Sequence, residues 1–235
     1  MNGILSSNPY MAMYDRVVNR YSGEYDSHFR SYKAKTKLSE VILIGRGGEG
    51  VWLSGEVLAA TAIDRGKYSK VIFKMPGERR STPTFSFLRV ADEPVSFPTS
   101  FIYSADDILL FEEDMFTYTS IILDIDIPTI ACRMNPEGLC VVNSAKSPSE
   151  LRGDLAGKLV TVDGTRISEQ YLGTPFYMNF PVIGAYLAAK KSELMKQIET
   201  TIRNFKNPRG HKLFGGKLGD LNIKALRAGY ESAKF

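Results

Sequence analysis

The stretch Val41-Ile-Leu-Ile-Gly-Arg-Gly-Gly-Glu-Gly-Val51 decides the fold of this chain. A short apolar run with β-branched residues ends in a glycine-rich turn, and a helix-like pattern of apolar residues follows. This is the strand, turn and helix that open a Rossmann-type βαβ unit, with Gly45, Gly47 and Gly50 at the G-x-G-x-x-G positions. The first glycine permits a tight turn, the second lets a phosphate approach the backbone, and the third allows close packing of helix on strand. The stretch therefore predicts a helix N-terminus that can receive an anion.

Two interpretations of this glycine turn stay open. In a dehydrogenase of this class, a carboxylate about 20 residues further on ends the second strand and binds the ribose. Here the second predicted strand is Lys70-Val-Ile-Phe-Lys74, which ends in a lysine. The lysine disfavours NAD, although it is compatible with the 2′-phosphate of NADP. The turn either binds a phosphate or is a close turn at an edge where subunits meet.

The composition is that of an ordinary globular protein. The chain has 235 residues, of which 43% are hydrophobic and 24% charged, enough for one large domain with appendages. A net charge of +4, spread along the chain, does not indicate nucleic-acid binding. No apolar run approaches the roughly 20 residues that span a bilayer, and the N-terminus lacks the apolar core of a signal peptide. Cys132 and Cys140 form no C-x-x-C motif, so they are interpreted as buried thiols. We expect a cytoplasmic protein that contacts neither nucleic acid nor membrane and has no metal site of its own.

The chain is predicted to have three parts. Residues 1–37 carry five tyrosines among polar residues, which suits an assembly arm lying on another surface, although a disordered tail is the alternative. Residues 38–205 form a Rossmann-like domain. Residues 206–235 form a C-terminal loop, rich in Gly, Pro and Lys as far as residue 220, and a closing helix.

Strand-like and helix-like segments alternate along the predicted domain. The fold class is therefore α/β: a Rossmann-like, mainly parallel sheet with flanking helices, an N-terminal arm and a helical C-terminal part. Asp163 and Asn179 follow apolar runs and are interpreted as helix caps. Besides Lys70–Lys74, the main predicted strands are Thr84–Val90, Leu139–Asn143 and Lys158–Val162, and the predicted late helices are Asn179–Lys191, Glu193–Phe205 and Asn222–Ser232.

A series of motifs follows the glycine turn in a fixed order. They are Pro76-Gly-Glu-Arg-Arg80, Arg89-Val-Ala-Asp-Glu-Pro94, Val141-Val-Asn143, Val162-Asp-Gly-Thr165, Leu172-Gly173, Asn179-Phe-Pro-Val-Ile-Gly-Ala185 and Asn222-Ile-Lys-Ala-Leu-Arg-Ala-Gly-Tyr230. Together with Gly45–Gly50 they resemble the gamma subunit of the 2-oxoacid:ferredoxin oxidoreductases, of which pyruvate synthase is the best-known member. The chain departs from this family at Glu49, where glutamine is usual, and at Ser81, where glycine is usual. A carboxylate at Glu49, beside the helix N-terminus, can itself take the place of an anion.

The resemblance implies a subunit of an enzyme that oxidatively decarboxylates a 2-oxo acid, usually making an acyl-CoA and reducing ferredoxin. In the family, thiamine diphosphate with Mg belongs mainly to the alpha and beta chains, and the iron–sulfur clusters belong to beta and delta. The resemblance therefore implies alpha, beta and delta partners, ferredoxin reached through the complex, and CoA as co-substrate. This chain has neither the thiamine motif Gly-Asp-Gly…Asn-Asn nor a cysteine cluster. We expect it to bind no cofactor alone, to supply no catalytic residue and to be inactive by itself.

The predicted binding residues lie in two segments, the glycine turn and the loop before the third strand. They are Gly45, Arg46, Gly47, Gly48, Gly50, Arg79 and Arg80. The two adjacent arginines could hold the phosphates of CoA or a substrate carboxylate through bidentate hydrogen bonds, or could form salt bridges with a neighbouring subunit. Arg46 has the same two interpretations. Two other functions also remain open: a free-standing NADP- or FAD-binding oxidoreductase, and an assembly module that binds no ligand.

Overall fold

The computed structural model describes residues 31–75, 82–94, 102, 105–120, 125–151, 155, 157–206 and 212–235. The chain divides into two compact units, Met1–Leu38 and Ser39–Phe235. In the first unit, residues 31–36 are helical (α1), and the hydroxyl of Thr36 donates to the backbone oxygen of Tyr32 at 2.8 Å. The other four tyrosines of the predicted arm lie outside the described residues. In the described part of the chain, no helix has the length and apolar character needed to cross a membrane.

The second unit is built on a six-stranded sheet. Its strands are β1 (Ser39–Arg46), β2 (Tyr68–Lys74), β3 (Pro83–Ala91), β4 (Asp107–Leu110), β7 (Leu139–Asn143) and β8 (Lys158–Val162). They are arranged in the order β2-β3-β1-β4-β7-β8. Strands β1, β4, β7 and β8 pair in parallel, whereas β3 pairs antiparallel with both β1 and β2. Short strands β5 (Thr119–Ser120) and β6 (Ile125–Asp126) form a separate antiparallel pair. The sheet confirms the α/β class with mostly parallel strands.

Helices cover one face of this sheet. They are α2 (Val51–Ile63), α4 (Gly164–Leu172), α5 (Asn179–Ala189), α6 (Met195–Asn204) and α7 (Lys217–Glu231), while α3 (Ile127–Cys132) and two 3₁₀ helices (Glu113–Thr117 and Pro175–Tyr177) lie in connections. Since α7 already begins at Lys217, the last part of the predicted loop 206–220 is helical. Asp163 caps α4, as predicted, by accepting from the N–H of Arg166 at 3.0 Å. Asn179 is not a cap, because Met178 holds that position in α5 and the side chain of Asn179 packs instead against Gly50.

The hydrophobic core lies on both faces of the sheet, and the central strand β1 contributes buried side chains to each face. Val41 and Leu43 pack against residues of α2, α5 and α7 on the helical face. Ile42 and Ile44 pack on the opposite face against residues contributed by the chain between β3 and β7. Successive side chains of a strand point to opposite faces of the sheet. A strand that is buried on both faces therefore needs apolar residues at every position, as in the run Val41–Ile44.

One feature of the topology differs from a Rossmann βαβ unit. Strand β3 lies between β1 and β2, so the end of β2 at Lys74 is two strand spacings, roughly 10 Å, from the end of β1. The start of β3 takes the neighbouring position, and the N–H of Gly47 donates to the backbone oxygen of Thr82 at 3.2 Å. The parallel strands β1, β4, β7 and β8 end together, and we call the side of the sheet where they end the carboxyl edge.

Candidate functional site

The glycine turn lies at the carboxyl edge, directly after β1. A Cβ atom on Gly45 would stand 2.6 Å from Oε2 of Glu49, 2.9 Å from Cγ2 of Val51 and 3.0 Å from Cβ of Phe111. These distances are shorter than van der Waals contact, so a side chain at position 45 would force its neighbours to shift. Gly45 itself is the penultimate residue of β1 and pairs with Thr84, so the tight turn expected at this position begins only after Arg46.

The remaining glycines lead the chain into α2. Gly48 and Gly50 have φ values of 106° and 76°, in the left-handed region that favours glycine. Gly50 is the N-cap residue of α2 and supplies no side-chain cap to the first N–H groups of the helix. A Cβ on Gly50 would stand 3.1 Å from Nδ2 of Asn179, so the N-termini of α2 and α5 lie side by side. Among the described residues, Nδ2 of Asn179 is buried without a hydrogen-bond partner.

Glu49 folds back into the turn. Its Oε2 accepts from the backbone N–H of Arg46 at 2.6 Å, and the residue is only 5% exposed. Burial and a hydrogen bond to Glu112 raise the pKa of Glu49 to about 8. The carboxyl group supplies a hydrogen-bond acceptor inside the turn from within the chain.

Arg46, the last residue of β1, joins the turn to the chain that follows β4. Its Nε pairs with Glu112 and its Nη2 pairs with Asp114. Burial tends to raise the pKa of Glu112, but hydrogen bonds from Glu49 and Arg46 outweigh that effect and lower it below its ordinary value. The guanidinium of Arg46 thus joins the end of β1 to two carboxyl groups that follow β4.

A second polar cluster lies further along the same edge. The amide of Asn143, at the end of β7, donates from Nδ2 to the backbone oxygen of Phe111 and to Oγ1 of Thr165, both at 2.9 Å. Its Oδ1 accepts from the N–H of Thr165 at 3.2 Å. These bonds tie the ends of β4 and β7 to the first turn of α4. The edge is held together by side chains that follow three separate strands.

Glu113 adds an exposed bridge to this cluster. It accepts from the hydroxyl of Ser144 at 2.8 Å and pairs with Lys146. The Lys146 interaction, with smaller help from Ser144, lowers the pKa of Glu113. The three consecutive acids 112–114 thus all have partners on the carboxyl edge.

The predicted binding residues fall into two groups. The glycine turn and Arg46 are placed together at the carboxyl edge, whereas Arg79 and Arg80 lie outside the described residues. Sequence reasoning missed Glu112, Asp114 and Asn143. Their positions in the sequence could have predicted them, because polar residues that directly follow the apolar runs of parallel strands lie together at one edge of the sheet.

Metal binding has no visible basis in the described side chains, and the one cysteine side chain among them is that of Cys140. They contain no group of three or more His, Cys, Asp and Glu side chains arranged to hold a metal ion. Cys140 is fully buried in β7, and burial raises the pKa of its thiol far above the ordinary value. A thiol in this state is inert.

Comparison with known proteins places this α/β chain among oxidoreductase subunits. Residues 40–232 match the family described as pyruvate ferredoxin/flavodoxin oxidoreductase. The chain is 29% identical over 198 residues to the pyruvate/ketoisovalerate oxidoreductases common subunit gamma of Pyrococcus furiosus, covering 83% of this chain and 97% of that protein. It is 30% identical over 192 residues to pyruvate synthase subunit PorC of Methanothermobacter thermautotrophicus, covering 82% of this chain and 94% of that protein. The crystal structure of pyruvate oxidoreductase subunit PORC from Thermotoga maritima is similar with a TM-score of 0.64 and 25% identity, over 84% of this chain and 97% of that chain.

The chain belongs to the pyruvate ferredoxin/flavodoxin oxidoreductase family. The match runs from β1 to the end of α7, so it includes the glycine turn and every strand of the sheet. The resemblance to gamma subunits predicted from the ordered motifs is confirmed.

Proposed function

We propose that this chain is the gamma subunit of a multisubunit, thiamine-diphosphate-dependent 2-oxoacid:ferredoxin oxidoreductase. The complex would oxidatively decarboxylate a 2-oxo acid to an acyl-CoA and pass electrons to ferredoxin. The observation that carries this proposal is the family match over residues 40–232, together with gamma-subunit relatives that the chain spans almost completely. The chain's own sequence agrees, because it lacks the cysteine cluster and thiamine motif that the chemistry needs.

In this proposal the chain completes the complex and leaves the chemistry to its partners. Alpha and beta chains hold thiamine diphosphate and Mg, and beta and delta chains hold the iron–sulfur clusters. Residues 1–37 serve as the assembly arm. Their tyrosines suit this role, since a buried aromatic ring contributes on the order of 1.5–3 kcal/mol and several rings can offset the entropy of ordering a segment.

The proposal includes a contribution to the binding of CoA or substrate at the carboxyl edge. Gly45–Gly50, Arg79 and Arg80 are the residues we assign to it. Support comes from the uncapped N-terminus of α2 and from the buried Nδ2 of Asn179 beside it, since both offer hydrogen-bond donors. Ligands of open parallel sheets also bind preferentially at the carboxyl ends of the strands.

A second candidate function, a ligand-free assembly module, is favoured by one observation. Oε2 of Glu49 already accepts from the N–H of Arg46 inside the turn, at the place where a phosphate oxygen would otherwise be received. In that case the turn serves packing alone. The two candidates predict different behaviour of the same variant.

The test is purification of the tagged chain from its native source, followed by kinetics of the complex. We expect co-elution with larger chains that contain iron–sulfur clusters and thiamine diphosphate, and pyruvate or another 2-oxo acid should be turned over only by the complex. A lone chain that carries a bound dinucleotide, or that turns over pyruvate with CoA and an electron acceptor, would contradict the proposal.

The variant Gly47→Val then separates ligand binding from packing. A β-branched side chain blocks the approach of a ligand to the backbone of the turn. Ligand binding predicts an assembled complex with a raised KM for CoA or the oxo acid, whereas the assembly module predicts failed assembly. Gly215→Val is the matched control, because a Cβ there meets no atom within 4 Å. If the Gly47→Val complex assembles and its kinetics are unchanged, the turn serves neither ligand binding nor subunit packing.

A further inference from the structure

The two outer strands of the six-stranded sheet, β8 and β2, differ in how their open sides are covered. On β8, the backbone N–H of Thr161 donates to the oxygen of Lys234 at 3.0 Å, and the N–H of Lys234 donates back to Thr161 at 2.8 Å. The Nζ of Lys234 also donates to the backbone oxygen of Ala145 at 2.6 Å. The chain thus covers this side of β8 itself. Among the described residues, no strand pairs with the outer side of β2.

Strand β2 also exposes large apolar side chains. Unpaired strand edges attract other strands, so proteins usually keep them short, cover them or charge them. β2 is seven residues long. Tyr68 is 51% exposed and Phe73 is 40% exposed, and Met75, directly after the strand, is 47% exposed. Exposed apolar side chains that lie together on a surface mark a site of protein interaction.

The first turn of α2 extends this surface. A Cβ on Gly55 would stand 2.8 Å from Cγ2 of Val71, so α2 packs on the middle of β2. β2 runs parallel to β1, since both pair antiparallel with β3, and α2 returns in the opposite direction between them. Trp52, which is 40% exposed, lies about one turn before Gly55, toward the carboxyl edge. Phe73 lies two residues after Val71, toward the same edge. We call the exposed set on β2 and α2 the β2 edge: Trp52, Tyr68, Lys70, Phe73 and Met75.

The charges of β2 select the kind of strand that can pair with it. Residues 65–75 contain four basic residues and no acidic residue. Lys70 and Lys74 lie on one face of the strand, and Phe73 lies on the opposite face with Val71, because side chains alternate. A second copy of β2 would bring the lysines of both chains onto one face of the joined strands, and like charges on neighbouring strands destabilise pairing. The matching strand therefore carries acidic residues on one face and apolar residues on the other.

We propose that the β2 edge is a docking surface on which an extended segment of another subunit adds a seventh strand to the sheet, with its acidic residues beside Lys70 and Lys74 and its apolar residues beside Phe73. That the partner is a subunit rests on the proposed function, whereas the chemistry of the added strand rests on β2 alone. In strand addition, main-chain hydrogen bonds give affinity and alternate side chains give specificity.

The chemistry of the added strand is tested on the purified full chain with two synthetic peptides as long as β2. One alternates valine with glutamate, and the other alternates valine with lysine. In NMR spectra of the ¹⁵N-labelled chain, the Val-Glu peptide should shift the backbone amide signals of β2. Those of β8 should stay in place, because Lys234 covers its open side. The Val-Lys peptide should bind at least about tenfold more weakly, since cross-strand pairs of opposite charge stabilise a sheet and like charges destabilise it.

Two variants and a matched control sharpen this measurement. Lys70→Glu should move the ratio of the two dissociation constants by about tenfold toward the Val-Lys peptide, because it reverses the charge of the recognising face. Phe73→Ser should weaken the binding of both peptides, because it removes apolar contact area. Lys158→Glu reverses an exposed lysine on the other outer strand and should leave both affinities unchanged. Circular dichroism verifies that each variant is folded.

Several results would overturn the proposal: no shift in β2, shifts mainly outside it, equal binding of the two peptides, or wild-type preference in Lys70→Glu. Signals of β2 that shift with the concentration of the chain alone would identify a second copy as the occupant and would overturn it as well.

Docking in the complex is tested by purifying tagged variants from the native source. The wild-type chain should co-elute with its partner chains, Lys70→Glu and Phe73→Ser should lose most of this co-elution, and Lys158→Glu should keep it. Variants at Lys70 and Phe73 that assemble like wild type would overturn the docking surface and leave the proposed function intact. A wild-type chain that elutes alone would contradict the proposed function, and the peptide measurements then decide the inference by themselves.

Discussion

The two edges of the parallel sheet each bury an acid, and they treat it in opposite ways. At the edge where β4 and β7 begin, which we call the amino edge, Asp107 is completely buried. It accepts from the N–H of Leu139 at 2.9 Å and from the hydroxyl of Tyr186 at 2.8 Å, and it pairs with Lys190 at 2.7 Å. At the carboxyl edge, the buried Glu49 accepts from the backbone N–H of Arg46, whose guanidinium pairs with Glu112 and Asp114.

The difference between the two acids lies in the groups that compensate them. Asp107 has a cation and two donors, so its charge is compensated and it fastens α5 to the first residues of two strands. Burial, with the charge of Asp107 next, raises the pKa of Tyr186 well above its ordinary value, so this hydroxyl remains a donor. Glu49 has a backbone donor in place of a cation, and burial, with Glu112 next, raises its pKa to about 8. The amino edge thus compensates its buried acid fully, whereas the carboxyl edge gathers several ionisable side chains around one arginine.

The largest effect is expected from breaking the amino edge. Asp107→Ala leaves the hydroxyl of Tyr186 and the N–H of Leu139 without their acceptor, which should lower the free energy of unfolding by about 3–5 kcal/mol. Asp114→Ala is the matched change at the carboxyl edge, where an exposed ion pair contributes about 0–1 kcal/mol. Urea unfolding at pH 7 measures both, and equal losses would contradict the contrast between the edges.

An intermediate effect is expected from crowding the glycine turn. Gly45→Ala places a Cβ atom 2.6 Å from Oε2 of Glu49, so the carboxyl group and the turn must shift. We expect a loss of about 1–3 kcal/mol in unfolding free energy, as in other overpacked sites. Gly215→Ala, where the new Cβ meets nothing within 4 Å, should stay within about 0.5 kcal/mol of wild type. A Gly45→Ala variant as stable as this control would mean that the turn has room for a side chain.

The smallest effect is expected from Tyr186→Phe. This change removes one of the donors to Asp107 but leaves Leu139 and Lys190, so a loss of about 1 kcal/mol follows. Tyr230→Phe, on the exposed face of α7, serves as the control. If Tyr186→Phe costs as much as Asp107→Ala, the tyrosine, and not the lysine, is what keeps the buried acid stable.

Local patterns were sufficient for much of the fold. Strands β7 and β8 begin and end at the residues predicted, since an apolar run between turn residues leaves few alternatives. The capping of α4 by Asp163 also follows from local chemistry. The prediction that Asn179 caps a helix was wrong. Its side chain contacts Gly50, which is far away in the chain, and no local pattern predicts such a contact.

The sequence alone was enough to establish the α/β class, the glycine-rich connection from β1 to α2 and the family, because these depend on residue types in a fixed order. Only the tertiary structure placed β3 between β1 and β2 and brought Glu112 to Glu49. Strand order depends on which apolar faces pack together, and a pKa depends on neighbours in space. The pKa of Glu49 is therefore raised by its burial and then by Glu112, which lies 63 positions away in the chain and follows the strand that pairs in parallel with β1.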